Sequence, residues 1–188
     1  AGMGDHFGYS VALSGNGNTL AVGAPNEDGS VGLYGTNYDN PVRDCGAAYV
    51  FTRTGDEWSQ QGYINAASAG TSDGFGTSVS LSTDGNMLAV GAPEEDSAAY
   101  GVNGESKKSA KRSGAAYLFA RTEGGWSQFA YLKASNPRTV NLFGTSLDLS
   151  GDGDTVAVGA TWEQSAATGI NGEGADEEAS QSGAVYLY

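Results

Sequence analysis

Acidic side chains make up most of the chemically active residues in this sequence of 188 residues. It contains 22 Asp and Glu, 9 Lys and Arg, one histidine, His6, and one cysteine, Cys45. A single cysteine cannot form an intrachain disulfide, and this inventory excludes most hydrolytic and redox sites. Paired carboxylates can cleave glycosides, but these acids lie in loops at unmatched positions, which gives no reason to choose a pair. The sequence therefore predicts a protein that is not an enzyme.

Most of the acids fall in three long connecting segments, residues 26–45, 94–113 and 162–182. Connections of that length in a compact β unit are usually functional. Charge runs in loops are also often no more than solvated surface, so both interpretations stay open. As a ligand-binding set, the segments offer Glu27, Asp28, Tyr34, Tyr38, Asp96, Glu105, Glu173 and Asp176.

The formal net charge of −13 limits the classes of partner. Nucleic-acid binders need a basic face, so we expect no nucleic acid. No apolar run approaches the roughly 18 residues of a membrane span. The acidity is compatible with a secreted protein, with solubility in salty water, or with cation binding.

The long segments connect strands of a repeat that occurs three times. Two short apolar runs joined by a turn such as Asp84-Gly85-Asn86 predict a β-hairpin. The hairpin spans 7–25, and it returns 68 residues later at 75–93 and again at 143–161. A fixed period of this kind indicates a repeat protein.

Four strands can be assigned to the first repeat, at Phe7–Ser14, Thr19–Ala24, Gly46–Thr52 and Trp58–Ala66. The first two are crowded with Gly, Ala and Ser, whereas the last two carry Tyr, Phe and Trp. That difference suits blades that converge on an axis, as in a β-propeller. We therefore predict an all-β fold of antiparallel four-stranded blades, with a β-sandwich as the less favoured alternative. The blades are 1–68, 69–136 and 137–188, the last lacking its outer strand, as expected of a partial propeller or a fragment.

Two motifs of the hairpin resemble the FG-GAP repeat family, which builds the integrin α-subunit propeller and many bacterial extracellular proteins. Phe-Gly begins each copy, as in Phe75-Gly76, and Gly91-Ala92-Pro93 ends the second copy. The third copy departs at its end, where Thr161 replaces the proline. The resemblance implies an extracellular, secreted or cell-surface module for adhesion or ligand binding, with a protein or glycan ligand. The ligand is expected at the end of the blades that the long segments share with the links from one blade to the next. It also implies further blades, from the same chain or from a second copy.

Calcium is the cofactor that this resemblance implies, bound between the first two strands of a blade. The family pattern needs several oxygen ligands at alternate positions, and Ca²⁺ takes six to eight. Only the third repeat approaches it, with Asp148, Asp152 and Asp154, and Val156 replaces the closing aspartate. We therefore predict at most a weak calcium site there. In the other two repeats we expect plain hairpin turns.

Two alternatives to an adhesion module remain open. A lectin of the same fold would need aromatic platforms at matching positions, for which Trp58 and Trp126 are the candidates. These tryptophans are instead expected to pack between blades. The chain could also be the non-catalytic part of a secreted enzyme. Finally, the apolar strand at 183–188 is predicted to be an exposed edge that pairs with another chain.

Overall fold

The computed structural model describes residues 2–29, 42–68, 70–105, 109–172 and 178–188. All regular elements within these ranges are β-strands, and they form three antiparallel sheets. The strands are β1 (Ser10–Leu13), β2 (Thr19–Ala24), β3 (Ala47–Thr54), β4 (Glu57–Ile64), β5 (Ser78–Leu81), β6 (Met87–Ala92), β7 (Gly101–Val102), β8 (Ala115–Thr122), β9 (Gly125–Lys133), β10 (Phe143–Leu149), β11 (Val156–Ala160) and β12 (Ala184–Leu187).

Each sheet is one blade, and in blades 1 and 3 the strands follow chain order. Blade 1 has the order β1-β2-β3-β4, and blade 3 has β10-β11-β12. Blade 2 has the order β5-β6-β8-β9-β7, so β7 pairs with the outer edge of β9. The predicted all-β fold with antiparallel blades is confirmed. Strand β7 was not predicted, because a two-residue strand is too short to show the alternation that marks a strand.

The innermost strands of successive blades lie side by side and are joined by serine hydroxyls. Ser10 Oγ donates to the carbonyl oxygen of Gly76 at 2.8 Å, and Ser78 Oγ donates to that of Gly144 at 2.8 Å. These contacts repeat at the 68-residue period, so each blade is set against the next in the same way. The serines that make the inner strands slim therefore also join neighbouring blades.

Glycine is required where neighbouring backbones approach most closely. A Cβ added to Gly23 would lie 1.9 Å from the carbonyl oxygen of Gly76, and one added to Gly91 would lie 2.1 Å from that of Gly144. No side chain fits at such distances. The glycine of the Gly-Ala-Pro motif thus packs against the glycine of the next Phe-Gly motif.

The hydrophobic core lies between blades. Val50 and Ile64 of blade 1 share a buried cluster with Phe75 and Tyr117 of blade 2. A second cluster joins Leu132 of blade 2 to residues of blade 3 that include Phe143, Leu149 and Val158. Stability in such an array is approximately a sum of blade terms and nearest-neighbour interface terms.

The two repeated tryptophans have different environments. Trp126 is 1% exposed and lies between blades 1 and 2, where its indole N–H donates to Gln61 Oε1 at 3.2 Å. The prediction that it packs between blades is confirmed. Trp58 is 42% exposed. The guanidinium of Arg53 lies 5.7 Å from the centroid of its ring. Because Trp58 belongs to the first blade of the structure and Trp126 packs on the blade before its own, packing between blades stays a prediction for Trp58.

Among the described residues, no helix has the length and apolar character needed to cross a membrane.

Candidate functional site

The turns between the first two strands of each blade lie at one end of the sheets and share one hydrogen-bond pattern. In blade 2, Ser82 Oγ donates to Asp84 Oδ1 at 2.6 Å, and the same oxygen accepts the Asn86 N–H at 2.9 Å. Ser82 Oγ in turn accepts the Met87 N–H at 3.0 Å. The turn is therefore closed by its own side chains, in the manner of an Asx turn.

A neutral side chain closes the corresponding turn of blade 1. Ser14 Oγ donates to Asn16 Oδ1 at 2.8 Å and accepts the Thr19 N–H at 3.0 Å. In blade 3, Ser150 Oγ donates to Asp152 Oδ1 at 2.5 Å. Since an amide serves as well as a carboxylate, this position needs an acceptor oxygen and not a negative charge.

Two of the three carboxylates predicted for the third calcium site, those of Asp148 and Asp152, take part in hydrogen bonds in this structure. Asp152 Oδ1 already accepts from Ser150 and from the Asp154 N–H, and the Ser150 hydrogen bond is the main cause that lowers the pKa of Asp152. Asp148 Oδ1 accepts the hydroxyl of Ser80, in blade 2, at 3.0 Å. Within the described ranges no group of three or more His, Cys, Asp or Glu side chains is placed to hold a metal. Calcium needs six to eight oxygens, and these carboxylates are used in local hydrogen bonds.

An Asp152→Asn variant tests this conclusion, because Asn16 shows that an amide can close the same turn. We expect calcium titrations followed by calorimetry to give the same heats for the wild type and for the variant. We also expect millimolar calcium to leave both melting temperatures unchanged. A heat of binding seen in the wild type and lost in Asp152→Asn would instead establish the weak site predicted from the sequence.

A glutamate at the start of each long segment is buried, at Glu27, Glu95 and Glu163. Glu27 accepts the hydroxyl of Tyr49 at 2.8 Å, and burial raises the pKa of its carboxyl. Glu163 accepts the Ser165 N–H at 3.0 Å. These carboxylates anchor the segments to the sheets. Glu27, predicted as a ligand-binding residue, therefore lies below the surface.

In blade 2 the buried glutamate forms an ion pair that the sequence did not reveal. Lys133 Nζ lies 2.7 Å from Glu95 Oε2 and 2.7 Å from Ser113 Oγ. Glu95 also accepts the hydroxyl of Tyr131 at 3.0 Å. Burial lowers the pKa of Lys133, and the attraction of Glu95 opposes that shift. In blade 1 the position of Lys133 is taken by Asn65, which donates to the Gly46 carbonyl at 3.0 Å.

Two other predicted ligand residues, Asp28 and Asp96, hold the far ends of their segments. Asp28 Oδ1 accepts the N–H of Asp44, and Asp96 Oδ1 accepts the N–H of Arg112, both at 2.9 Å. Glu105 is exposed on the segment of blade 2. The remaining predicted residues lie outside the described ranges, namely Tyr34, Tyr38, Glu173 and Asp176.

The long segments and the links between blades meet at the opposite end of the sheets and enclose a depression. Its volume is about 380 Å³. Residues of all three blades line it, namely Tyr9, Pro25, Asn26, Asp44, Ser72, Gly74, Thr77, Pro93, Glu94, Arg112, Leu142 and Thr145. The sequence predicted this end of the blades as the ligand face, but its predicted residues Glu27, Asp28, Asp96 and Glu105 do not line the depression.

Charges of both signs lie in the depression. Arg112 Nη2 is 2.9 Å from Glu94 Oε1, and both side chains are nearly half exposed. An exposed pair of this kind contributes about 0–1 kcal/mol to stability. The two groups can therefore exchange their mutual contact for a ligand at little cost. Asp44 of blade 1 occupies the position that Arg112 occupies in blade 2, so the two blades place opposite charges there.

Comparison of the sequence with models of known protein families finds three tandem matches, one for each blade. The FG-GAP repeat matches the chain over residues 1–51, 58–119 and 126–188. The chain belongs to the FG-GAP repeat family. A search of curated proteins finds no match. The FG-GAP resemblance inferred from the Phe-Gly and Gly-Ala-Pro motifs is confirmed.

The three FG-GAP blades share one backbone conformation near the ends of the long segments, and in blades 1 and 2 the residue at this position lines the depression. Asp44, Arg112 and Gln181 occupy one position, and all three have a left-handed backbone, with φ of 49°, 54° and 59°. Only a few per cent of non-glycine residues adopt this conformation. Its recurrence shows that the fold imposes the backbone there, while each blade displays its own group. The signal in the sequence was the repeated glycine that begins the third strand, at Gly46, Gly114 and Gly183, because each of these positions lies two residues before it.

Proposed function

We propose that this FG-GAP chain is a non-enzymatic module that binds a protein ligand in the depression at the loop end of its blades. The main support for the proposal is a difference between the two ends of the blades. At the turn end every blade repeats the same serine and Asx pair, as in Ser82 and Asp84. At the loop end the backbone repeats but the side chains differ, as in Asp44 and Arg112. Variation on a constant backbone suits recognition, because loops on a rigid scaffold commonly carry binding residues.

The chemistry of the depression suits a protein segment with polar and basic groups. Tyr9, an exposed aromatic side chain, and Arg112 both line it. Tyrosine and arginine are enriched in protein interfaces. The acids Asp44 and Glu94, together with the net charge of −13, favour the approach of a basic segment.

A lectin is less well supported by this geometry. Its aromatic platforms would have to recur at matching positions, yet Trp126 is buried between blades whereas its counterpart Trp58 is exposed. The proposal also places the module outside the cell, as is typical of FG-GAP repeats.

Selection from a phage-displayed library of random peptides tests the proposed site. We expect peptides selected on the wild-type chain to lose at least about tenfold in affinity for a Tyr9→Ser, Glu94→Gln variant, since a few central groups carry most of the energy of an interface. Fluorescence anisotropy with a labelled selected peptide measures the loss. Asp152→Asn, at the turn end, is the matched control and should bind like the wild type. Peptides that bind the depression variant as tightly as the wild type would place recognition elsewhere.

A further inference from the structure

The guanidinium of Arg112 uses only part of its hydrogen-bonding capacity. Nη2 donates to Glu94 Oε1 at 2.9 Å, and among the described residues this side chain makes no other polar contact. The side chain is 47% exposed and lies in the lining of the depression. A guanidinium presents its N–H donors as a planar fork that fits the two oxygens of one carboxylate. Arg112 can therefore bind a second carboxylate while it keeps its hydrogen bond to Glu94.

The backbone below this side chain is held in place from both directions. The N–H of Arg112 donates to Asp96 Oδ1 at 2.9 Å, and its carbonyl accepts the N–H of Leu142, in the link to blade 3, at 3.1 Å. Arg112 also has the left-handed backbone, with a φ of 54°, that the corresponding residues of the other blades share. A group on a preorganised backbone loses less conformational freedom when it binds. The fold thus fixes the base of the arginine and leaves its charged end accessible.

The surroundings of Arg112 strengthen its attraction for an anion. Pro93 and Leu142 line the depression with it, and charges interact more strongly beside apolar groups than in bulk water. Lys111, the preceding residue, is exposed and adds a second positive charge next to it. At the same two positions blade 1 has a cation and an acid, and blade 3 has two neutral residues. Blade 2 therefore provides the one clearly positive site among these three positions.

We propose that Arg112 binds a carboxylate of the protein ligand, so that the ligand carries an acid in addition to the basic groups that suit Asp44 and Glu94. This inference rests on the proposed function, because it needs the depression to be the binding site. A carboxylate matches the open part of the guanidinium fork and brings a single negative charge. A phosphate would bring about two negative charges against the acids of the depression. The carboxylate belongs to an aspartate or glutamate side chain of the ligand or to its C-terminus.

Peptides selected on the wild-type chain for the proposed site supply the probe. A labelled peptide is compared with versions in which each acid is replaced by its amide, and with a version amidated at the C-terminus. We expect one of these changes to weaken binding to the wild type at least about tenfold in fluorescence anisotropy. Arg112→Gln should bind the parent peptide about tenfold more weakly and be nearly insensitive to the same change, because the two groups form one contact. Arg112→Lys keeps the charge but loses the fork, so its affinity should lie between the two.

Arg53→Gln, at the turn end, removes the same charge from an exposed arginine and is the matched control. It should bind like the wild type, and thermal unfolding followed by circular dichroism checks that each variant folds. Equal affinity of Arg112→Gln and the wild type, or equal sensitivity of both to every change in the peptide, overturns the inference. A loss of binding in the Tyr9→Ser, Glu94→Gln variant would then still support the depression as the site. Peptides that bind that double variant as tightly as the wild type overturn the proposed function, and this inference with it.

Discussion

Replacing Trp126 with alanine is expected to lower the free energy of unfolding by about 3–5 kcal/mol, the usual cost of truncating a buried tryptophan. The side chain is 1% exposed and lies at the boundary between blades 1 and 2. Its indole N–H donates to Gln61 Oε1, and the guanidinium of Arg121 lies 5.1 Å from the ring centroid. Urea unfolding followed by circular dichroism measures the loss.

Trp58 provides a matched control for this prediction. It has the same Trp-Ser-Gln context and a stacked arginine, Arg53, but it is 42% exposed. We expect Trp58→Ala to cost less than about 1 kcal/mol, since substitutions at exposed positions are usually small in effect. Equal losses at the two tryptophans would show that burial between blades does not decide the stability of this array.

Replacing Lys133 with methionine is also expected to destabilise the protein by about 3–5 kcal/mol, because it leaves the carboxylate of Glu95 buried without its countercharge. The Lys133 and Glu95 side chains are 0% and 2% exposed, and their charged atoms are 2.7 Å apart. Thermal or urea unfolding at neutral pH tests the loss. The double variant with Glu95→Gln should recover part of the stability, because the buried charge is then removed.

The exposed ion pair of the neighbouring residue, Glu94, provides a control for the buried pair of Lys133 and Glu95. Glu94 pairs with Arg112 at 2.9 Å, but their side chains are 42% and 47% exposed. We expect Arg112→Met to change stability by less than about 1 kcal/mol. Lys133→Asn should be milder than Lys133→Met, since Asn65 shows that an asparagine at this position donates to a backbone carbonyl. A Lys133→Met loss as small as that of Arg112→Met would contradict the prediction.

Much of this fold could be predicted from the sequence because its signals are local and occur three times. Alternation of large and small residues marks a strand within a few positions, and Asp84-Gly85-Asn86 marks its turn. The predicted strand Thr19–Ala24 matches β2 at both ends. Repetition at 68 residues then assigns the same elements to every blade, and the Phe-Gly and Gly-Ala-Pro motifs indicate the FG-GAP family.

The candidate site could be predicted only as one end of the blades. The tertiary structure decided which acids face the depression and which are buried. Glu94 and Glu95 are adjacent in the sequence, yet one lies in the depression and the other pairs with Lys133 inside blade 2. Both residues follow the end of β6, where no strand period predicts which side chain another element covers.

The same limit applies to the tryptophans and to the depression itself. Trp126 is buried and Trp58 is exposed although both begin a Trp-Ser-Gln sequence, because in this structure only Trp126 has a blade packed against it. The lining brings Tyr9 together with Arg112 and Leu142, which belong to three different blades. Repeat spacing and local pattern are encoded within each blade, so the sequence alone determined the strands, the turns and the family. Burial and the joining of distant residues depend on how whole blades pack, and only the tertiary structure decided them.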